Sequence, residues 1–253
     1  MRPLELVAHR GAPTRFPENT LPGIAAALGC GACYVEVDVQ MSADGIPVLF
    51  HDATLERLCG VPGAIADHGL ADLSRLSPGD PRYFRGRYAD LVIPTLRELV
   101  ALWLDWPAAT LFVEVKEEAL ARFGCARVYA TVARVLEPIR ERVVLLSFGL
   151  DFLLAARRAG WPTLGAVVER WRDLDDPRIA ALSPRFLFTD LAYLPPDGAL
   201  NGPARRLGAR LAVYEVADPG VALALAGRGV DLVETFAIAE MRGALGQHVH
   251  GCR

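Results

Sequence analysis

Residues 34–52 read YVEVDVQMSADGIPVLFHD, and two patterns follow one another in that stretch. First, Val35, Val37 and Val39 alternate with Glu36 and Asp38, so an extended chain turns the valines to one face and both carboxylates to the other. Then Asp44-Gly45, a pair suited to a two-residue hairpin turn, leads into an apolar run at 46–50. A parallel crossover needs roughly a dozen residues, so 34–41 and 46–50 are predicted to be antiparallel neighbours. Counting back from that turn pairs Ala43 with Ile46, Ser42 with Pro47 and Asp38 with His51. Pro47 then sits on a non-hydrogen-bonded pair, where its missing N–H is harmless, and His51 arrives beside Asp38.

Outward from the hairpin, short apolar runs alternate with helical stretches. Strands are predicted at 4–8, 110–115, 142–147, 163–168, 186–189, 210–216 and 230–235. Helix ends are readable between them: Thr95 with Glu98 forms a capping box, Asp176-Pro177 and Asp218-Pro219 open helices, and Gly160 and Gly208 close them. Such alternation implies α/β architecture around a parallel sheet. With 46–50 set aside as the hairpin arm, the remaining strands number eight, and 253 residues is the size of one TIM (β/α)8 barrel. The Gly-, Pro- and Arg-rich stretch 52–93 reads as a lid or small insertion after the His51 strand, within a single domain spanning 1–253.

Composition narrows the function classes. Hydrophobic residues make up 52% and charged residues 23%, too apolar for intrinsic disorder. Net charge is -3 with the basic residues dispersed, which leaves no electrostatic footprint for nucleic acid. No apolar run approaches the roughly 18 residues of a membrane span, and the N-terminus shows no signal-peptide core, so a cytoplasmic protein is expected. The five cysteines, including Cys252, are expected to be reduced, and Cys30-x-x-Cys33 is expected to have no redox or zinc role. Of the 27 basic residues only Lys116 is a lysine, a hint that a compact ammonium is needed there. Oligomeric state is not legible in the sequence.

Chemistry-bearing residues gather at the predicted strand ends. Glu114 and Lys116 alternate with Val113 and Val115 just as Glu36 and Asp38 do with their valines. Charges pointing into a barrel must be paired or hold an ion, and Glu36, Asp38 and Glu114 together make an oxygen-donor set for Mg²⁺ or Ca²⁺. His9-Arg10-Gly11 follows the first strand, where Arg10 offers a bidentate donor to phosphate. His9 and His51 stand at strand ends beside the carboxylates, as an acid/base pair would. His68, His248 and His250 are given no role.

These pieces resemble the glycerophosphodiester phosphodiesterase family. The matching segments are AHRG (8–11), PENT (17–20), EVDVQMSADGIPVLFHD (36–52), IPTLREL (93–99), VEVK (113–116), SF (147–148) and GVDLVET (229–235), in family order along the chain. The resemblance implies a distorted TIM barrel with a small insertion over its mouth. It implies one divalent cation, Mg²⁺ or Ca²⁺, on Glu36, Asp38 and Glu114, with His9 and His51 as acid and base in either order. Arg10 and Lys116 would hold the phosphate, and Tyr214 and Phe148 would contact the substrate. The implied reaction is hydrolysis of a glycerophosphodiester to glycerol 3-phosphate and an alcohol. A lysophospholipase-D-like activity on single-chain lipids is the neighbouring reading. A Schiff-base aldolase using Lys116 and a phosphate-binding barrel without turnover are the others. The family's usual W-T-V-N segment is here Tyr214-Glu215-Val216-Ala217, its T-D-x-P ending is Thr235-Phe236-Ala237-Ile238, and an asparagine two residues before the fourth-strand glutamate is Phe112.

Overall fold

The computed structural model describes residues 4–249; Cys252 and His250 lie outside the described residues. Among the described residues nine strands run β1 Glu5–His9, β2 Tyr34–Met41, β3 Pro47–Leu49, β4 Thr110–Val115, β5 Val143–Ser147, β6 Leu164–Val168, β7 Phe186–Asp190, β8 Arg210–Tyr214 and β9 Leu232–Thr235. Eight of them pair in parallel, and β1 closes the ring by pairing with both β2 and β9. The ninth, β3, lies antiparallel on β2. The chain is therefore a TIM barrel with one extra hairpin strand.

Alternation along β2 sorts the side chains as its period demands. Val35, Val37 and Val39 are buried in the shell they share with helix residues such as Ile24, Leu99 and Val132. The inner face carries a separate apolar core built from Val7, Phe112, Leu146, Val167 and Phe188, among others. Phe112 sits with its ring centroid 5.0 Å from both Phe186 and Phe188, so the position read as a departure from the family is a central plug of this barrel. Below it, at the N-terminal ends of the strands, Arg210 pairs with Glu5 at 2.7 Å and donates to the Tyr34 hydroxyl at 3.1 Å. The other inward charges are left at the C-terminal ends.

The hairpin differs from expectation by one residue. Observed partners are Met41 with Pro47, Gln40 with Val48 and Val39 with Leu49. Asp38 therefore faces Phe50, whose N–H donates to the Asp38 carbonyl at 3.1 Å, and not His51. The connection has three residues, not two: Ser42 N–H donates to the Ile46 carbonyl, and Gly45 takes φ +79° inside the loop. Ser42 Oγ also accepts from Ile46 N–H at 3.0 Å, which fixes this longer loop. Pro47 still falls between hydrogen-bonded pairs.

Residues 52–93 contribute two short helices, Glu56–Cys59 and Leu70–Leu73, and a small apolar core of Leu55, Leu58, Ile65, Leu73 and Ile93 packed on Val48 and Phe50. The Thr95–Glu98 capping box and the Asp176 and Asp218 caps form as read. Cys30 donates to the Ala27 carbonyl at the end of helix Leu21–Gly29, and burial pushes its thiol pKa up, which suits an inert residue. No described helix is long and apolar enough to cross a membrane.

Gly11 is where the fold and the site meet. Its φ is +89°, and a Cβ there would lie 2.9 Å from the backbone of Gly23 and Ile24, atoms that cannot move aside. Gly11→Ala is expected to cost about 3 kcal/mol, a Tm drop on the order of 10 °C, from left-handed strain plus overpacking. An unchanged melting curve by circular dichroism would contradict this.

Candidate active site

The turn after β1 bends back on itself. Arg10 adopts φ +57° and Asn19 φ +55°, and the Asn19 N–H donates to the Arg10 carbonyl at 3.0 Å. Asn19 then grips Asp38 twice: its Nδ2 donates to Oδ2 at 2.8 Å, and its Oδ1 accepts from the Asp38 N–H at 3.1 Å. Arg10 Nε lies 3.1 Å from the same Oδ2, and Arg10 Nη1 lies 3.1 Å from Glu18 Oε1. The HRG and ENT segments thus form one clamp that orients Asp38.

Parallel register sets His9 of β1 opposite Glu36 of β2, and Asp38 of β2 opposite Glu114 of β4. Lys116 bridges Glu114 at 2.8 Å and Asp38 at 3.4 Å. Burial alone would raise the Asp38 pKa, but Arg10 and then Lys116 outweigh it and hold the carboxyl well below the usual range. Glu36 goes the other way: burial, then Asp38 and Glu234, push it well above that range. Glu114 is also raised, by burial first, against the pull of Lys116. Lys116 would be lowered by burial, yet Asp38 and Glu114 together lift it, so its ammonium stays charged.

Ligand atoms of Glu36, Asp38 and Glu114 lie within 4.8 Å of one another. The donors are all oxygens, and Glu36 Oε1 is buried without a hydrogen-bond partner. Both observations fit a hard divalent cation.

The two histidines line the same cavity as Glu36 and Glu114. His51 Nδ1 is 2.7 Å from Asp52 Oδ1; a carboxylate there can only accept, which assigns the proton to Nδ1 and leaves Nε2 free to exchange one. Arg57 holds Asp52 through two bonds of 2.7 Å and Glu18 through two of 2.8 Å, linking the His51 dyad to the Arg10 clamp. His9 is buried and stacks on Phe236 with centroids 4.3 Å apart, and the Arg10 guanidinium lies 5.5 Å from the same ring. Burial, reinforced by Arg10, lowers the His9 pKa well below its ordinary value, so the ring is neutral at pH 7. His9, Arg10, Glu36, His51, Glu114 and Lys116 all line one cavity of about 110 Å³, with Phe148 and Tyr214 on its wall. Asp38, 1% exposed, does not line this cavity. A larger cavity of about 690 Å³, lined by Arg185, Arg205, Arg210 and Arg228, opens at the opposite end of the barrel, away from the end where such barrels carry chemistry.

Several site residues had no role in the sequence reading: Asn19, Glu18, Asp52, Arg57, Phe236 and Glu234. Glu234 is the most consequential. It is 3% exposed, burial and then Glu114 raise its pKa well above the usual range, and its Oε1 has no hydrogen-bond partner. A carboxyl whose folded pKa is raised stabilises fully below its unfolded pKa and loses that contribution as pH rises through the folded value. Metal-free protein should therefore lose stability from the weakly acidic range upward, and Glu234→Gln should flatten that decline. Thermal melts in EDTA between pH 5 and pH 8 test this; parallel Tm–pH curves for both proteins would contradict it.

Fold and site together define a TIM barrel whose mouth joins buried carboxylates, two imidazoles and two cations in one pocket. The chain belongs to the glycerophosphoryl diester phosphodiesterase family, whose profile matches residues 9–251. It is 40% identical over 116 residues, 46% of this chain and 35% of the relative, to glycerophosphodiester phosphodiesterase 1 of Homo sapiens. Identity is 36% over 100 residues, 37% of this chain and 34% of the relative, with glycerophosphodiester phosphodiesterase of Bacillus subtilis. The chain thus matches about a third of the length of these two relatives. A phosphodiesterase of Oleispira antarctica, solved with the product sn-glycerol-3-phosphate, superposes with a TM-score of 0.81 at 26% identity over 96% of this chain and 97% of that one.

Proposed function

We propose that this protein hydrolyses glycerophosphodiesters to sn-glycerol 3-phosphate and an alcohol. The observation that carries the reading is the convergence of His9, His51, Arg10 and Lys116 with a carboxylate cluster on one small cavity. Support comes from the family membership and from the related barrel that holds this product.

Glu36, Asp38 and Glu114 would hold one divalent cation, Mg²⁺ or Ca²⁺. When bound, it supplies charge neutralisation at the phosphoryl oxygens. Arg10 and Lys116, both kept charged by Asp38, hold the phosphate from the protein side. His9, neutral by burial, takes the proton of the attacking hydroxyl as it adds to phosphorus. His51, steadied by Asp52, gives a proton to the departing alcohol oxygen as its bond to phosphorus breaks. Phe148 and Tyr214 form the wall against which the substrate packs. The 52–93 insertion serves as a lid on the mouth of the single barrel domain.

A second reading has an observation of its own. Beside Arg10, a groove of about 380 Å³ is lined by Pro13, Pro17, Leu58, Tyr83, Phe84 and Phe236. An apolar alcohol such as that of a lysophospholipid would lie there, giving a lysophospholipase-D-like activity. The aldolase reading fits poorly, because a Schiff-base lysine must lose its proton and Lys116 is held charged.

A panel of glycerophosphodiesters and lysophospholipids, assayed for released phosphomonoester with EDTA and metal add-back, tests both readings. Release of glycerol 3-phosphate from water-soluble diesters supports the first. Turnover confined to lysolipids selects the second, and no turnover with any diester after metal add-back overturns both.

A further inference from the structure

We infer that His9, Glu36 and Glu234 form a second cation site, of mixed nitrogen and oxygen donors, that takes Zn²⁺-class ions. Its ligand atoms lie within 4.8 Å of one another. His9 Nε2 is 3.8 Å from Glu36 Oε2 and 3.9 Å from Glu234 Oε2. Those separations are too long for hydrogen bonds. They are close to the roughly 3.4 Å that separates two donors on one tetrahedral Zn²⁺ with bonds of about 2.1 Å.

One atom of each side chain is left without a partner, although Glu36 Oε2 also accepts a 3.3 Å bond from the Arg10 N–H. All three are more than nine-tenths buried, at 6%, 2% and 3% exposure. His9 Nδ1, Glu36 Oε1 and Glu234 Oε1 each lack a hydrogen-bond partner. Burying such groups unpartnered is costly, and all three residues line the cavity. A third cluster, Glu18, His51 and Asp52, shows the contrast, for Arg57 and the His51–Asp52 bond already engage its carboxylates.

Donor chemistry separates the new site from the expected one. Glu36, Asp38 and Glu114 offer only oxygen, which suits Mg²⁺ or Ca²⁺, whereas an imidazole nitrogen with two carboxylates suits Zn²⁺. Glu36 belongs to both sets and would bridge them. An ion on His9 Nε2 occupies the lone pair that accepts the proton in hydrolysis, so Zn²⁺ inhibits. That consequence rests on the function proposed above; the binding does not.

The test is calorimetric titration of ZnCl2 into Mg²⁺-saturated protein. One tight Zn²⁺ per chain is expected, at least tenfold weaker in Glu234→Gln and in His9→Gln and unchanged in His51→Gln. Wild-type protein that takes no Zn²⁺, or Glu234→Gln that binds as wild type does, overturns the inference. Zn K-edge absorption on the wild-type complex needs no variant: a shell of oxygen and nitrogen with one imidazole supports the site, and a sulfur shell or no imidazole overturns it. Hydrolysis assayed with and without Zn²⁺ then decides inhibition separately, and an inactive protein that binds Zn²⁺ as described refutes only the catalytic reading.

Discussion

His51→Ala is expected to lower kcat by about 10²–10⁴-fold, the usual contribution of a positioned acid or base, and His9→Ala by a similar factor. The two should differ in how they fail. His51 is about a third exposed and makes its bond through Asp52, which Arg57 holds independently, so its loss leaves the fold and Tm nearly unchanged. His9 is buried against Phe236, so its removal also leaves a gap and lowers Tm by a few degrees. Steady-state kinetics beside thermal melts separate the two effects. Activity within tenfold of wild type in a folded His51→Ala protein would remove His51 from the chemistry. Asp52→Asn supplies a finer check: it keeps the shape but withdraws the charge that steadies the imidazolium, so kcat falls while KM changes little.

Chelation is the second large effect. Stripping the divalent cation is expected to cost about 4 kcal/mol of transition-state stabilisation, roughly a 10³-fold loss of rate, with recovery on adding Mg²⁺ or Ca²⁺. The cause is charge neutralisation: burial raises the pKa values of Glu36 and Glu114 and favours their protonated forms when no cation is bound, while Arg10 and Lys116 are already engaged by Asp38. A phosphodiester anion entering there without the cation lacks the positive charge it would supply. The same reasoning predicts that metal raises Tm at pH 8 more than at pH 5, since protons compete for the same oxygens. Full activity in excess EDTA, after exhaustive dialysis, would contradict it.

What was legible in the sequence followed from periodicity. The alternation through Val35–Val39 and again through Val113–Val115 was enough to send Glu36, Asp38, Glu114 and Lys116 inward. A parallel ring places such residues at one level whatever the details of the loops. The hairpin register was not legible, because a local hydroxyl settles it: Ser42 Oγ accepts the Ile46 N–H and admits a third loop residue before the strands pair. Glu234 was out of reach for a different reason. It meets His9 only when β9 closes onto β1, with Val7 opposite Glu234, a pairing across more than two hundred residues that leaves no local pattern. Phe236 is similar. Where the family pattern has aspartate, this chain puts an aromatic ring under His9 and Arg10, and only the stacked geometry gives that substitution a role. The Asp52–Arg57–Glu18 chain escaped because His51-Asp52 read as a motif without saying which group holds the aspartate.

The central claim, a single cation gathered by β2 and β4 beside two imidazoles, is tested most directly by anomalous diffraction from crystals grown with Mn²⁺ and sn-glycerol 3-phosphate. One strong anomalous peak within bonding distance of Glu36, Asp38 and Glu114, with the phosphate between it, Arg10 and both histidines, is the predicted result. No peak at those three carboxylates, or phosphate bound away from His9 and His51, would contradict the account.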